Sequence, residues 1–141
     1  MGTVRVTREL AVPASAVWAV LADFGGFLDW ATGGAGTIRI EGDGEGMVRH
    51  LSLPGVGEMA ERLDRLDHQT RIQCYSLAAG TPIGMGSYNA TVVVSETASG
   101  CRLDWTGEFE AAPGADAEMI RQGLEGSYDG MSRSLAAAAV R

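Results

Sequence analysis

Glu61 is the residue on which chemistry could turn. In Met59-Ala60-Glu61-Arg62-Leu63-Asp64 the apolar Met59 and Leu63 share its parity, while Arg62 and Asp64 take the other. On a strand its carboxylate therefore points the same way as two apolar neighbours. A carboxylate turned into an apolar interior is costly unless it is paired, hydrated or protonated. A water-containing pocket would satisfy it, and burial would favour its neutral form, which suits proton transfer near neutral pH. The competing reading is a strand that twists or bulges and returns Glu61 to solvent.

Aromatic residues with polar tips fall on matching strand faces. Tyr75 shares parity with Gln73 and Leu77, Tyr88 with Ala90, Val92 and Val94, and Trp105 with Leu103 and Phe109. Singly each reads as ordinary core. Together with Glu61 and Ser127 they resemble the sparse polar groups of an apolar ligand pocket. Tyr75, Tyr88 or His50 could supply a donor beside Glu61, although parity leaves the side taken by His50 open between pocket and solvent. Such a site could take a proton next to a carbonyl and so drive an aldol-type cyclisation or a dehydration.

Other chemistries find little support. His50, His68, Cys74 and Cys101 lack zinc-ligand spacing, so neither a metal nor a cofactor is expected. His68 lies in an Asp-His-Gln turn and reads as solvated, and each cysteine sits in an apolar strand pattern as a buried thiol. The glycines of Gly42-Asp43-Gly44-Glu45-Gly46 stand between strands and beside acids, which is no cradle for phosphate. No serine or cysteine occupies a nucleophile elbow.

The elements that must hold these residues are legible in the pattern. Val4, Val6, Leu10 and Val12 mark a first strand that Pro13 stops, and Val17, Val20, Leu21 and Phe24 mark a helix over 14–22 with Pro13 in its first turn. Gly25-Gly26 breaks it, and Phe27 to Trp30 allows a second short helix. Strands are expected near 37–41, 46–53, 57–66, 70–79, 86–96 and 101–110, separated by turn chemistry such as Pro54-Gly55 and Asp67-His68-Gln69. Such short spacing requires antiparallel pairing, because parallel neighbours need crossover helices. After Pro113-Gly114 the period changes. Ile120, Leu124, Ser127, Tyr128, Met131, Leu135 and Ala138 recur at steps of three and four along one long helix. Gly123 and Ser127 stand beside that stripe where larger residues would be usual. Room for a ligand is one explanation, and close helix–sheet packing is the other.

Composition sets the frame. The 141 residues suffice for a single domain over 1–141, with 45% hydrophobic and 21% charged residues. A formal charge of −7 argues against nucleic acid and against anionic membrane surfaces. No apolar run approaches the roughly 20 residues of a membrane span, and Met1 to Val6 lack a signal-like apolar block. A cytoplasmic protein with no stable membrane association is expected. Whether it forms a homodimer is left open.

The order of elements, with Val12-Pro13-Ala14-Ser15-Ala16-Val17-Trp18 and then Asp23-Phe24, resembles the START-like superfamily. That group contains polyketide cyclase/dehydrase-like, birch-pollen-allergen-like and lipid-transfer domains. The resemblance spans nearly the whole chain and implies an α+β helix-grip fold, in which a curved seven-stranded antiparallel sheet wraps a long C-terminal helix. A narrower stretch, Leu53-Pro54-Gly55, Glu61-Arg62-Leu63-Asp64, Asp67, Tyr75-Ser76 and Tyr88, is similar to the plant abscisic-acid receptors. That likeness implies a gate at Ser52 to Gly55, a latch at Gly80 to Gly84, and pocket roles for Glu61, Tyr75 and Tyr88. Thr81-Pro82-Ile83 replaces the receptors' His-Arg-Leu, and Ala31 follows Trp30 where their hormone-pairing lysine would stand. Without that cation a carboxylate ligand would be buried unpaired. A bacterial-style relative with the same pocket plan and another ligand is expected.

Three functions compete. The first is binding of a small apolar or aromatic molecule by Glu61, Tyr75, Tyr88, Trp105, Gly123, Ser127 and Met131, with Leu53, Pro54 and Ile83 at the gate and latch. The second is a cofactor-independent cyclase or dehydratase with Glu61 as acid/base, favoured if Glu61 touches a second polar side chain. The third is a partner-directed quinone- or lipid-handling domain, hinted at by Leu53, Val56 and Ile83.

Overall fold

The computed structural model describes residues 1–141 and has the helix-grip α+β architecture. β1 (Gly2–Leu10) leads to α1 (Ala14–Ala22), a 3-10 turn (Phe24–Gly26) and α2 (Phe27–Thr32). Six strands follow: β2 (Thr37–Glu41), β3 (Val48–Leu53), β4 (Gly57–Asp67), β5 (Ile72–Ala79), β6 (Met85–Thr97) and β7 (Gly100–Ala111). A 3-10 turn (Pro82–Gly84) precedes β6, and α3 (Ala117–Ala139) closes the chain. Two expected boundaries shift. The first strand begins and ends two residues earlier than parity suggests, and Pro13 precedes α1, because its ψ of 141° is not helical.

All seven strands form one antiparallel sheet in the order β1-β7-β6-β5-β4-β3-β2. The chain's first strand thus pairs with its last, Val6 opposite Trp105. β2 to β7 form a meander of hairpins, as their short connections require. β4 slips register against β5 between Ala60 and Glu61 and again between Leu63 and Arg65. Bulges of this kind bend a strand and sharpen its twist. The bend gives the sheet a concave face, and α3 lies across it.

α3 begins where the Asp116 carboxylate accepts the N–H groups of Glu118 and Met119, the cap an isolated helix start needs. It buries Ile120, Leu124, Tyr128, Ser132 and Leu135 and packs on β1, β7, α1 and α2. The opposite side holds Gly126 and Gly130, where an added Cβ would meet nothing within 4 Å. Alanine at either position should raise stability by about 0.5–1 kcal/mol, because glycine is the costlier residue inside a helix. Thermal denaturation should show Tm rising by about 2–4 °C for each. A drop would mean that this face packs against something.

Candidate functional site

A cavity of about 240 Å³ lies between the sheet and α3. Its inner wall is made by buried side chains, Arg49, Glu61, Tyr75, Tyr88 and Tyr128. Exposed residues form its mouth: Val56 in the β3–β4 turn, Ile83 in the 3-10 turn, and Gly123 and Ser127 on α3. Met59, Met85 and Leu124 supply further apolar lining.

The inward carboxylate of Glu61 is there, but it is not unpaired. β3 and β4 pair Arg49 with Glu61, and both side chains point into the concave face, 4% and 7% exposed. Arg49 donates to Glu61 Oε1 from Nε at 2.9 Å, and its Nη2 lies 2.8 Å from the same oxygen in an ion pair. Its Nη1 donates to the carbonyl of Phe24 at 3.2 Å. The guanidinium lies 3.8 Å from the Phe24 ring centroid, 4.4 Å from Phe27 and 5.3 Å from Tyr75. Aromatic faces and a weakly hydrated planar cation suit one another, so burial of this charge is partly offset. This corrects the expectation that water would satisfy Glu61. It also corrects the expectation that the pocket lacks a cation: one is present and already committed to Glu61.

Three tyrosines, every tyrosine in the chain, meet in the same wall. Tyr88 and Tyr128 hydroxyls are 2.5 Å apart, and Tyr75 Oη is 3.5 Å from Tyr88 Oη. Trp105 Nε1 donates to Tyr75 Oη at 3.2 Å. Burial, reinforced by the negative charge of Glu61, pushes Tyr75 up to about 12. Burial also drives Tyr88 and Tyr128 well above the ordinary phenol value. All three hydroxyls therefore stay protonated at physiological pH and can each donate one hydrogen bond.

Glycine at position 107 makes this cluster possible. A Cβ there would stand 2.0 Å from Tyr128 Oη and 3.2 Å from Tyr88 Cε1. Tyr128 cannot easily retreat, since its ring stacks on Trp105 at 5.3 Å. Gly107→Ala should destabilise the protein by about 1–3 kcal/mol, the usual range for overpacking. Tyr128→Phe should restore part of that loss, as chemical denaturation of the two variants together would show.

Of the residues expected to bind ligand, Leu53, Glu61, Tyr75, Ile83, Tyr88, Gly123, Ser127 and Met131 do line the cavity. Trp105 and Pro54 do not. Trp105 sits behind Tyr128 and Tyr75 as their support, and Pro54 is exposed on the turn whose neighbours Leu53 and Val56 face inward. Gly123 and Ser127 lie at the mouth rather than on the buried stripe. His50 is on the outer face, bonded to Glu41 at 2.9 Å, and is no partner for Glu61. His68 is exposed yet accepts the indole N–H of Trp18 at 3.0 Å. Cys101 is buried as expected, and Cys74 is only half-buried. No group of metal-ligating side chains is assembled anywhere in the chain.

Arg49 and Tyr128 are the functional residues that strand parity missed. Arg49 had a signal: it shares parity with Leu51 and Leu53 as Glu61 does with Met59 and Leu63. Folding β3 onto β4 about Gly55 sets position 49 opposite 61. Tyr128 was visible on the helical stripe, but its neighbours come from β6 and β7.

The family described as polyketide cyclase / dehydrase and lipid transport matches residues 1–140. No curated protein matches the sequence. Solved structures of similar fold include XoxI from Bacillus cereus, 22% identical, TM-score 0.83, covering 99% of this chain and 96% of that one. Norcoclaurine synthase from Thalictrum flavum, in complex with dopamine and hydroxybenzaldehyde, is 22% identical with TM-score 0.79, covering 99% and 86%. Ara h 8.0201 is 16% identical with TM-score 0.82, covering 99% and 97%. At such identities the likeness is one of fold.

Proposed function

The chain belongs to the polyketide cyclase / dehydrase and lipid transport family, in the START-like superfamily, and we propose that it binds a small apolar or aromatic molecule between the sheet and α3. The observation that carries this reading is the apolar cavity of about 240 Å³ with an exposed mouth and a buried polar wall. A cavity of about 150 Å³ accepts benzene, so this one has room for roughly ten non-hydrogen atoms. The complex of norcoclaurine synthase with dopamine and hydroxybenzaldehyde supports an aromatic occupant. No helix is long and apolar enough to cross a membrane.

Native mass spectrometry of freshly purified protein, followed by extraction, tests this. A bound apolar molecule is expected. Gly123→Phe should expel it, because that position opens on the mouth and meets only Ile83 Cδ1, at 3.4 Å. An empty protein whose Tm ignores a panel of small phenols, naphthols and benzoquinones would overturn the reading.

A second reading, acid/base catalysis by Glu61, has one observation in its favour. Glu61 does touch a second polar side chain, but that partner is a guanidinium, which does not exchange protons. Arg49 bonds only Oε1, and Oε2 remains able to accept a proton from a ligand. Glu61→Gln should abolish turnover of a cyclisable carbonyl substrate while binding persists, if this reading holds. A protein partner gains no separate support, since the exposed Val56 and Ile83 both line the cavity.

A further inference from the structure

We propose that the cavity selects an uncharged, hydroxylated aromatic and rejects carboxylates; this rests on the binding function proposed above. The chemistry lies in what the Arg49–Glu61 pair leaves unsatisfied. The hydrogen bond from Nε and the ion-pair contact from Nη2 both fall on Oε1, and Oε2 takes no donor from the chain. The sole sealed side-chain atom without a partner in the protein is Thr97 Oγ1. Glu61 Oε2 therefore faces open space, and the cavity is the space that Glu61 lines. Guanidinium carries five N–H groups. Those bonded or ion-paired to Glu61 and Phe24 leave at least two without a protein acceptor.

The wall thus presents a free acceptor beside free donors. A hydroxyl is the smallest group that answers both, donating to Oε2 and accepting from Arg49. An ether satisfies only the donors, and a hydrocarbon satisfies neither. A carboxylate brings a second negative charge against Glu61, with no cation left to balance it. The surrounding tyrosine hydroxyls are neutral and add no charge. Phe27, Leu124 and the methionines at 59, 85 and 131 then receive the ring system, methionine adapting to its outline.

Isothermal titration of ligand-free protein at pH 7 with four probes tests the assignment: 2-naphthol, 2-methoxynaphthalene, naphthalene and 2-naphthoate. Naphthol should bind at least about ten-fold more tightly than the ether or the hydrocarbon, the size of one charge-assisted hydrogen bond. Naphthoate should not bind detectably. Glu61→Gln frees the charge of Arg49, so the preference should invert, naphthoate gaining at least about ten-fold and naphthol losing its advantage. Equal binding of naphthol and the ether, or binding of naphthoate to the unmodified protein, overturns the assignment and leaves the binding function standing. If no probe binds while a co-purified molecule is seen by mass spectrometry, the ligand class is wrong and the cavity function survives. If no probe binds and the protein is empty, both fail. Should Glu61→Gln not fold, the four probes on unmodified protein still decide.

Discussion

Arg49→Met should cost the fold about 3–5 kcal/mol, because it strands the Glu61 carboxylate in the interior. The two groups are 4% and 7% exposed, so after loss of the guanidinium only the cavity is left to hydrate the carboxylate. The same physics predicts that Arg49→Met combined with Glu61→Leu is far milder. A buried ion pair exchanged for apolar groups of similar volume is often neutral or stabilising, and Leu at 61 would sit among Met59, Leu63 and Tyr75. Urea denaturation of both single variants and the double variant gives the coupling energy directly. A single-variant loss under about 1 kcal/mol would show that the pair is solvated, since exposed pairs contribute no more than that. The double variant should also lose the hydroxyl preference proposed above, which separates the pair's role in recognition from its role in folding.

Raising the pH should unfold this protein steeply, with the tyrosines as the cause. Each has an ordinary value of 10.0 when free of the fold. In the folded chain burial raises all three, Tyr75 to about 12. Between those values the unfolded chain has released protons that the folded chain still holds. Stability from the protonated phenols is thus complete below pH 10 and is lost as pH rises through the folded values. Each tyrosine contributes about 1.4 kcal/mol per pH unit in that window, and three together about 4 kcal/mol per unit. Tyr75 alone loses about 3 kcal/mol over two units, and Tyr88 and Tyr128 add to that loss, a large share of the stability of a domain of this size. Phenolate absorbance and loss of circular dichroism should therefore appear together, near pH 11 to 12. Phenolate absorbance appearing at pH 10 in a folded protein would show that the cluster is open to water.

These two expectations concern one wall of one cavity, and they constrain function as well as stability. Phenols held protonated act as fixed donors rather than bases. The carboxylate oxygen not bonded to Arg49 is then the one basic atom the wall offers. Recognition of a hydroxyl and acid/base work would both pass through that atom. Glu61→Gln removes both at once, so turnover and the hydroxyl preference should be lost together while apolar binding persists.

The sequence by itself determined the elements and their order, since local periodicity is a property of neighbouring residues. Alternation in β6 and the three-and-four steps of α3 each reflect one buried face, and short turns left antiparallel pairing as the available arrangement. Parity alone also turned Glu61, Tyr75 and Tyr88 inward. It could not say what they meet. Trp105 and Tyr128 are each a large aromatic on a buried face, and nothing local tells the supporting residue from the lining one. Tertiary structure decided that by stacking them with Tyr128 toward the cavity. It also placed Gly107 where a phenol must pass. The partnership of Arg49 with Glu61 lies between these cases. Hairpin symmetry about Gly55 contains the register, but burial of both charges depends on Phe24 and Phe27 arriving from a separate segment to cover the guanidinium. Contacts between residues distant in the chain are energetic facts of the folded state, and periodicity carries no record of them.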